Sequence, residues 1–169
     1  MKILIVEDHV LIANHIKNIL EDSGFQNIEM AFTQARSNGA VTVLNPAPSR
    51  DIPESLLSLA NIVVPNETES AAIGGTKNLL NLGSTTVITT LGADGASIET
   101  SSSTTLIAPH KVTPIDTVGA GDAFIGATCA ELSRGASIED AARMGAIAGA
   151  LATTVKGAVP SLPTRQAVI

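Results

Sequence analysis

The stretch Asp116-Thr117-Val118-Gly119-Ala120-Gly121-Asp122-Ala123-Phe124 carries the clearest chemistry in the chain. Gly119 and Gly121 precede a small-residue helix and put no Cβ between the backbone and a ligand. The first N–H groups of a helix have no intrahelical acceptor, so the turn suits an anion, with the dipole adding roughly 0.3–1 kcal/mol. Asp122, in the first turn, would repel a phosphate unless a metal ion neutralises it. It fits equally if its carboxylate faces a hydroxyl and takes the proton as that oxygen attacks. The second arrangement is phosphoryl transfer to an alcohol.

Other residues with chemical potential are spread along the chain. Asn66 and Glu69 follow an apolar run; an amide can donate to a phosphate and a carboxylate can hold Mg²⁺ directly or through water. The same pair also reads as a helix capping box, and both roles can coexist. Glu7-Asp8 stands at the end of the first apolar run, as a solvated rim or as part of a divalent-cation site. His9, His15 and His110 have no neighbours that suggest a transition-metal site and read as surface or satisfied histidines.

Positioning these residues calls for an α/β protein, a three-layer αβα sandwich on a mostly parallel central sheet. Met1–Val6, Val41–Leu44, Asn61–Pro65 and Thr86–Thr90 are short apolar runs of the kind buried on both faces of a parallel sheet. Ile12, Ile16, Ile19 and Leu20 make an amphipathic helix after the first run. A short strand at Ile28–Met30 and a helix at Phe32–Ser37 then give a β-α-β-α opening. Pro53–Leu59 and Gly75–Leu82 are short helices, and Ala96–Glu99 with Thr105–Ile107 form a hairpin. Pro109–Pro114 carries the chain back to the central turn. The helix after Gly119 ends near Arg134-Gly135, and Ser137 with Asp140 caps a long Ala- and Gly-rich helix that packs closely on its neighbour.

The 169 residues suffice for a single α/β domain with a real core, packed by aliphatic side chains because there are three Phe and no Tyr or Trp. A formal charge of −6 without long runs argues against nucleic acid and against an anionic membrane surface. Cys129 is alone and forms no internal disulfide. With no signal peptide or bilayer-length apolar run, the chain reads as cytoplasmic.

Asp116–Phe124 resembles the C-terminal signature of the ribokinase family of carbohydrate kinases. Leu44-Asn45-Pro46-Ala47-Pro48, the Asn66–Glu69 pair, Thr90-Leu91-Gly92-Ala93-Asp94-Gly95 and the tail Thr153–Pro163 occur in that family's order and spacing. The resemblance covers residues 36–169. It implies Asp122 as catalytic base and Gly119, Ala120 and Gly121 as anion hole. Thr90 and Gly92 would face the phosphates of ATP or ADP, and Gly95 would allow the loop to turn. Asn66 and Glu69 would serve phosphate and Mg²⁺. It further implies a K⁺ site from the Asp116 carboxylate, the carbonyls of Val118, Ala152, Val155 and Gly157, and the Ser161 hydroxyl; a plain structured loop is the alternative for that tail. Asp94 stands where relatives often carry a basic side chain, and Thr128 and Cys129 stand where larger apolar residues are usual.

Residues 1–30, with Lys2–His9, the following helix and Gly24-Phe25, resemble the start of a response-regulator receiver domain, which implies Mg²⁺ at Glu7 and Asp8. The places of the receiver's acceptor Asp, hydroxyl residue and Lys hold Asn45, Pro65-Asn66 and Thr90, so no phospho-acceptor is present. If the sheet is flavodoxin-like, the first run lies beside Val41–Leu44, and Glu7, Asp8 and Asn45 share a rim.

The sugar-binding residues and lid of the ribokinase family have no counterpart in the sequence. A base and an anion hole without a positioned alcohol lose the proximity that phosphoryl transfer requires. The expectation is therefore a recombined or designed chimera without efficient catalysis. It would keep a vestigial ATP/ADP site, have no partner beyond a small-molecule nucleotide, and form no lid-mediated dimer. The alternatives are an ATP-dependent sugar kinase and a receiver-like Mg²⁺-binding switch.

Overall fold

The computed structural model describes the backbone of residues 3–7 and all of residues 25–48 and 51–169. These fall into two compact units. One holds the described residues up to Thr89 together with Glu99–Ser103; the other holds Thr90–Ile98 with Thr104–Ile169.

In the first unit β1 (Ile3–Glu7), β2 (Val41–Asn45), β3 (Ile62–Val63) and β4 (Thr86–Thr90) lie side by side in that order, each pair parallel. Leu44 is the register partner of Val63, and Val63 of Val87. These three form a row across the sheet. Ile28 and Phe32 of α1 (Gln26–Ser37), Leu56 and Leu57 of α2 (Glu54–Leu57), Ile73, and Leu79 of α4 (Gly75–Leu82) cover that row as one core. α3 (Glu67–Ala72) starts between β3 and α4. The parallel run and the α/β class expected from the sequence are observed.

The opening differs from expectation at Ile28–Met30, which lies inside α1 rather than in a strand. Apolar residues two apart suggested alternation, but the spacing that buries is four: Ile28 and Phe32 pack inward while Met30 is 70% exposed. β1 and β2 are direct neighbours, with Glu7 opposite Asn45. The helix expected from Ile12, Ile16, Ile19 and Leu20, and the residues Asp8, His9 and His15, lie outside the described residues.

The second unit is built on β5 (Ala96–Glu99) and β6 (Thr104–Ile107), neighbours joined by four residues, a connection that only antiparallel strands can make. Gly95 stands before β5 at φ +92°, and a Cβ there would lie 2.1 Å from the Ile107 carbonyl oxygen. Only glycine admits that approach. α5 (Ala120–Ser133) and α6 (Ile138–Ala152) pack along a seam of small residues. A Cβ on Gly145 would meet Thr128 Oγ1 at 2.2 Å, and one on Gly149 would meet the Ala120 carbonyl at 3.0 Å. Thr128 is buried with its hydroxyl donating to the Phe124 carbonyl at 2.8 Å, so this polar side chain fills the seam without an orphaned donor. Ser137 accepts from Asp140 N at 3.1 Å and caps α6 as its sequence indicates. Two short turns, α7 (Ala158–Ser161) and α8 (Arg165–Val168), end the chain, with Arg165 Nε donating to Glu131 Oε1 at 2.8 Å.

Candidate nucleotide site

The second unit contains a cavity of about 510 Å³, within the range of small-molecule sites. Three stretches and one helix face form it. Thr90 comes from the end of β4, and Gly92, Ala93 and Gly95 from the loop after it. Pro109–Val112 and Pro114 come from the irregular segment after β6. Thr117, Ala120, Gly121 and Phe124 bring the start of α5, and Ala146, Gly149, Ala150 and Thr153 bring one stripe of α6. That stripe is spaced i, i+3, i+4, i+7, so it occupies one helix face.

The turn that opens α5 is arranged as the motif suggests. Gly119 is left-handed at φ +83°, with an added Cβ 3.0 Å from Ala158 Cα. No side chain caps the helix. Ala120 N donates to Thr117 O and Ala123 N to Gly119 O, whereas the N–H groups of Gly121 and Asp122 have no acceptor among the described residues. Two donors are thus free at the positive end of a fourteen-residue helix. A Cβ on Gly121 would meet nothing within 4 Å, so this residue faces the open cavity. Asp122 is exposed and is not a lining residue; it stands just outside, one position along the first turn.

Asp116 ties the turn to the C-terminal loop. Its Oδ2 accepts from Gly157 N at 2.9 Å and its Oδ1 from Val118 N at 3.1 Å. The Gly157 and Val118 N–H groups hold its pKa below the ordinary carboxylate value. Ile115 N and Asp116 N both donate to Thr153 O, fastening the same segment to the end of α6, the helix that ends at Ala152. Ser161 is buried and its hydroxyl donates to Ala158 O at 2.8 Å, which leaves its lone pairs as acceptors. Of the other residues that the resemblance implies for K⁺, Gly157 O accepts from Ser161 N at 3.2 Å and Ala152 O from Val155 N at 3.4 Å.

In the first unit Asn66 and Glu69 form both arms of a capping box: Glu69 N donates to Asn66 Oδ1 at 2.9 Å and Asn66 N donates to Glu69 Oε2 at 2.8 Å. Glu69 is buried and Asn66 exposed. One carboxylate oxygen is therefore engaged in the cap. Among the described residues no group of three His, Cys, Asp or Glu side chains could hold a metal, and no helix is long and apolar enough to cross a membrane.

Sequence reasoning missed the segment from Pro109 to Pro114, read as a return path, and with it Lys111; His110, read as a surface histidine, lines the cavity. The irregular segment has no periodicity to betray it. The Ala146, Gly149, Ala150 and Thr153 stripe was legible as a thin helix face, though its division between helix packing and cavity lining was not.

A profile of the pfkB family carbohydrate kinases matches residues 8–165. The chain belongs to that family. It is 38% identical over 151 residues to the ribokinase of Staphylococcus aureus (strain COL), covering 82% of this chain and 50% of that protein. It is 36% identical over 157 residues to the ribokinase of Haemophilus influenzae, covering 86% and 51%. The structure of Arabidopsis thaliana ribokinase complexed with ribose and ATP superposes with a TM-score of 0.76 at 27% identity, over 83% of this chain and 50% of that one. The chain thus spans about half the length of the curated relatives it matches.

These findings overturn the expectation of a spliced chimera without catalysis. The family match runs without a break through residues 30–36, where a junction was expected, and the relatives at 36–38% identity are ribokinases. The pfkB stretch therefore includes most of the segment that resembles a receiver. The match spans about half of each relative, so it does not bear on the sugar-binding residues. The alternative of a sugar kinase fits better.

Proposed function

We propose that this chain supplies the ATP-binding, base-bearing half of a ribokinase-type reaction, in which the γ-phosphoryl group of ATP passes to a hydroxyl of a pentose. The observation that carries the reading is the cavity ending at the uncapped start of α5, with two free N–H donors and Asp122 just outside it. The apolar and small-residue walls accept the nucleoside. Gly92, at φ +57°, and Gly121 give the phosphates access to main-chain donors.

In this scheme Asp122 accepts the proton of the attacking hydroxyl, and the free N–H groups of the turn stabilise charge on the transferring phosphoryl oxygens. Mg²⁺ bound with ATP would neutralise phosphate charge; the second Glu69 carboxylate oxygen, outside the cap, is the kind of ligand such an ion takes. K⁺ is assigned to the Asp116–Gly157 loop, where it would order the turn without touching substrate. The setting is the cytoplasm, where ATP is abundant, and the partner is a small-molecule nucleotide.

The experiment is ADP release from Mg·ATP with ribose added. Release that needs ribose and drops by about 10²–10⁴-fold in Asp122→Asn, as expected for loss of a general base, supports the reading. Release indifferent to sugar or to that substitution overturns it.

A further inference from the structure

The walls of the cavity also bear on which nucleobase it takes. On the side of α6, the two carbonyls at its C-terminal end, those of Ala150 and Thr153, are already engaged. Ala150 O accepts from Thr153 N at 3.1 Å and from Thr153 Oγ1 at 2.7 Å. Thr153 O accepts from Ile115 N at 2.7 Å and from Asp116 N at 3.0 Å. A carbonyl oxygen has two lone pairs, so both of these are filled. Among the described residues no Asn, Gln, Asp or Glu lines the cavity. No side chain there offers the amide or carboxylate pairing that fixes one purine edge.

Unengaged main-chain groups also line the cavity in the segment after β6. His110, Lys111 and Val112 make no backbone hydrogen bond among the described residues, and Pro109 and Pro114 bracket them without N–H groups of their own. N–H and C=O therefore follow one another along this edge. A 6-amino purine offers a donor beside an acceptor; a 6-keto purine offers an acceptor beside a donor. An edge carrying both groups in succession meets either by a shift of one group.

Given the nucleotide assignment above, on which this rests, we propose that the cavity binds purine nucleoside triphosphates without distinguishing a 6-amino from a 6-keto base, the edge being read by the main chain of residues 110–112. A site with a committed side-chain hydrogen bond rejects the mismatched ligand by about 10⁴-fold or more, whereas an apolar wall separates ligands far less.

The test is calorimetric titration of the whole protein with the Mg²⁺ complexes of adenosine, guanosine and inosine triphosphates. The expected dissociation constants agree within about threefold, under 1 kcal/mol. Binding of the adenosine form with the other two weaker by more than about 30-fold, or roughly 2 kcal/mol, overturns this proposal and leaves the nucleotide assignment standing. No binding of any of the three overturns both. His110→Ala and Lys111→Met should move all three constants together. A change of more than about tenfold, 1.4 kcal/mol, in their ratio would assign the reading to a side chain and sink the main-chain account.

Discussion

Asp116 holds two loops together with one carboxylate, and its titration makes that testable. The Gly157 N–H, then the Val118 N–H, favours the charged form and depresses the folded pKa. A folded value below the unfolded one means a contribution to stability that is present above the unfolded carboxylate range and lost as pH falls through the folded value. Urea midpoints of the protein and of Asp116→Asn should therefore differ most near neutrality and converge on acidification below about pH 4; a gap that stays constant contradicts the assignment. At this scale the sequence was legible where the chemistry is local. Asp116, Gly119, Gly121 and Asp122 sit within seven residues, and the turn's geometry follows from glycine placement. His110 and Lys111 were not legible, because only the return of the segment from Pro109 to Pro114 against α5 and α6 makes them lining residues.

The seam between α5 and α6 explains why this pair of helices is rich in Gly and Ala. Gly145→Ala would place a methyl 2.2 Å from Thr128 Oγ1 and 2.8 Å from the Phe124 carbonyl, with backbone on one side and a bonded hydroxyl on the other. Chemical denaturation should show a loss of about 1–3 kcal/mol, the usual cost of overpacking. Gly126→Ala is the matched control: it lies mid-helix with nothing within 4 Å of the new methyl, and should gain roughly 0.5–1 kcal/mol. Equal effects at the two positions would contradict the packing account. Caps and breaks at element scale were readable, including Ser137 before α6 and Gly83 after α4. The strand expected at Ile28–Met30 was not, since two apolar residues cannot tell a period of 2 from one of 3.6 until the partner at Phe32 is seen to bury.

At the scale of the molecule, the chain belongs to the pfkB family of carbohydrate kinases and spans about half the length of the relatives it matches. The α/β class was legible because apolar runs of strand length recur between helical stretches. The expectation of a chimera without catalysis is contradicted by the ribokinase relatives; a short apolar strand ending in acidic residues is common to many parallel sheets, and its pattern does not separate one family from another. Cys129 reports on the integrity of the fold. Burial pushes its pKa up to about 11, so the thiol should stay silent to a maleimide at pH 8 in the native protein and react on unfolding. Ready labelling under native conditions would show that α5 does not pack as described.

The most direct measurement is Mg·ATP titration of the protein beside Gly121→Leu, a substitution at a helical position whose new side chain projects into the cavity without backbone strain. The account predicts saturable one-to-one heat for the protein and none for the variant, with the variant unfolding at no lower temperature than the protein. ATP binding undiminished in Gly121→Leu would contradict it.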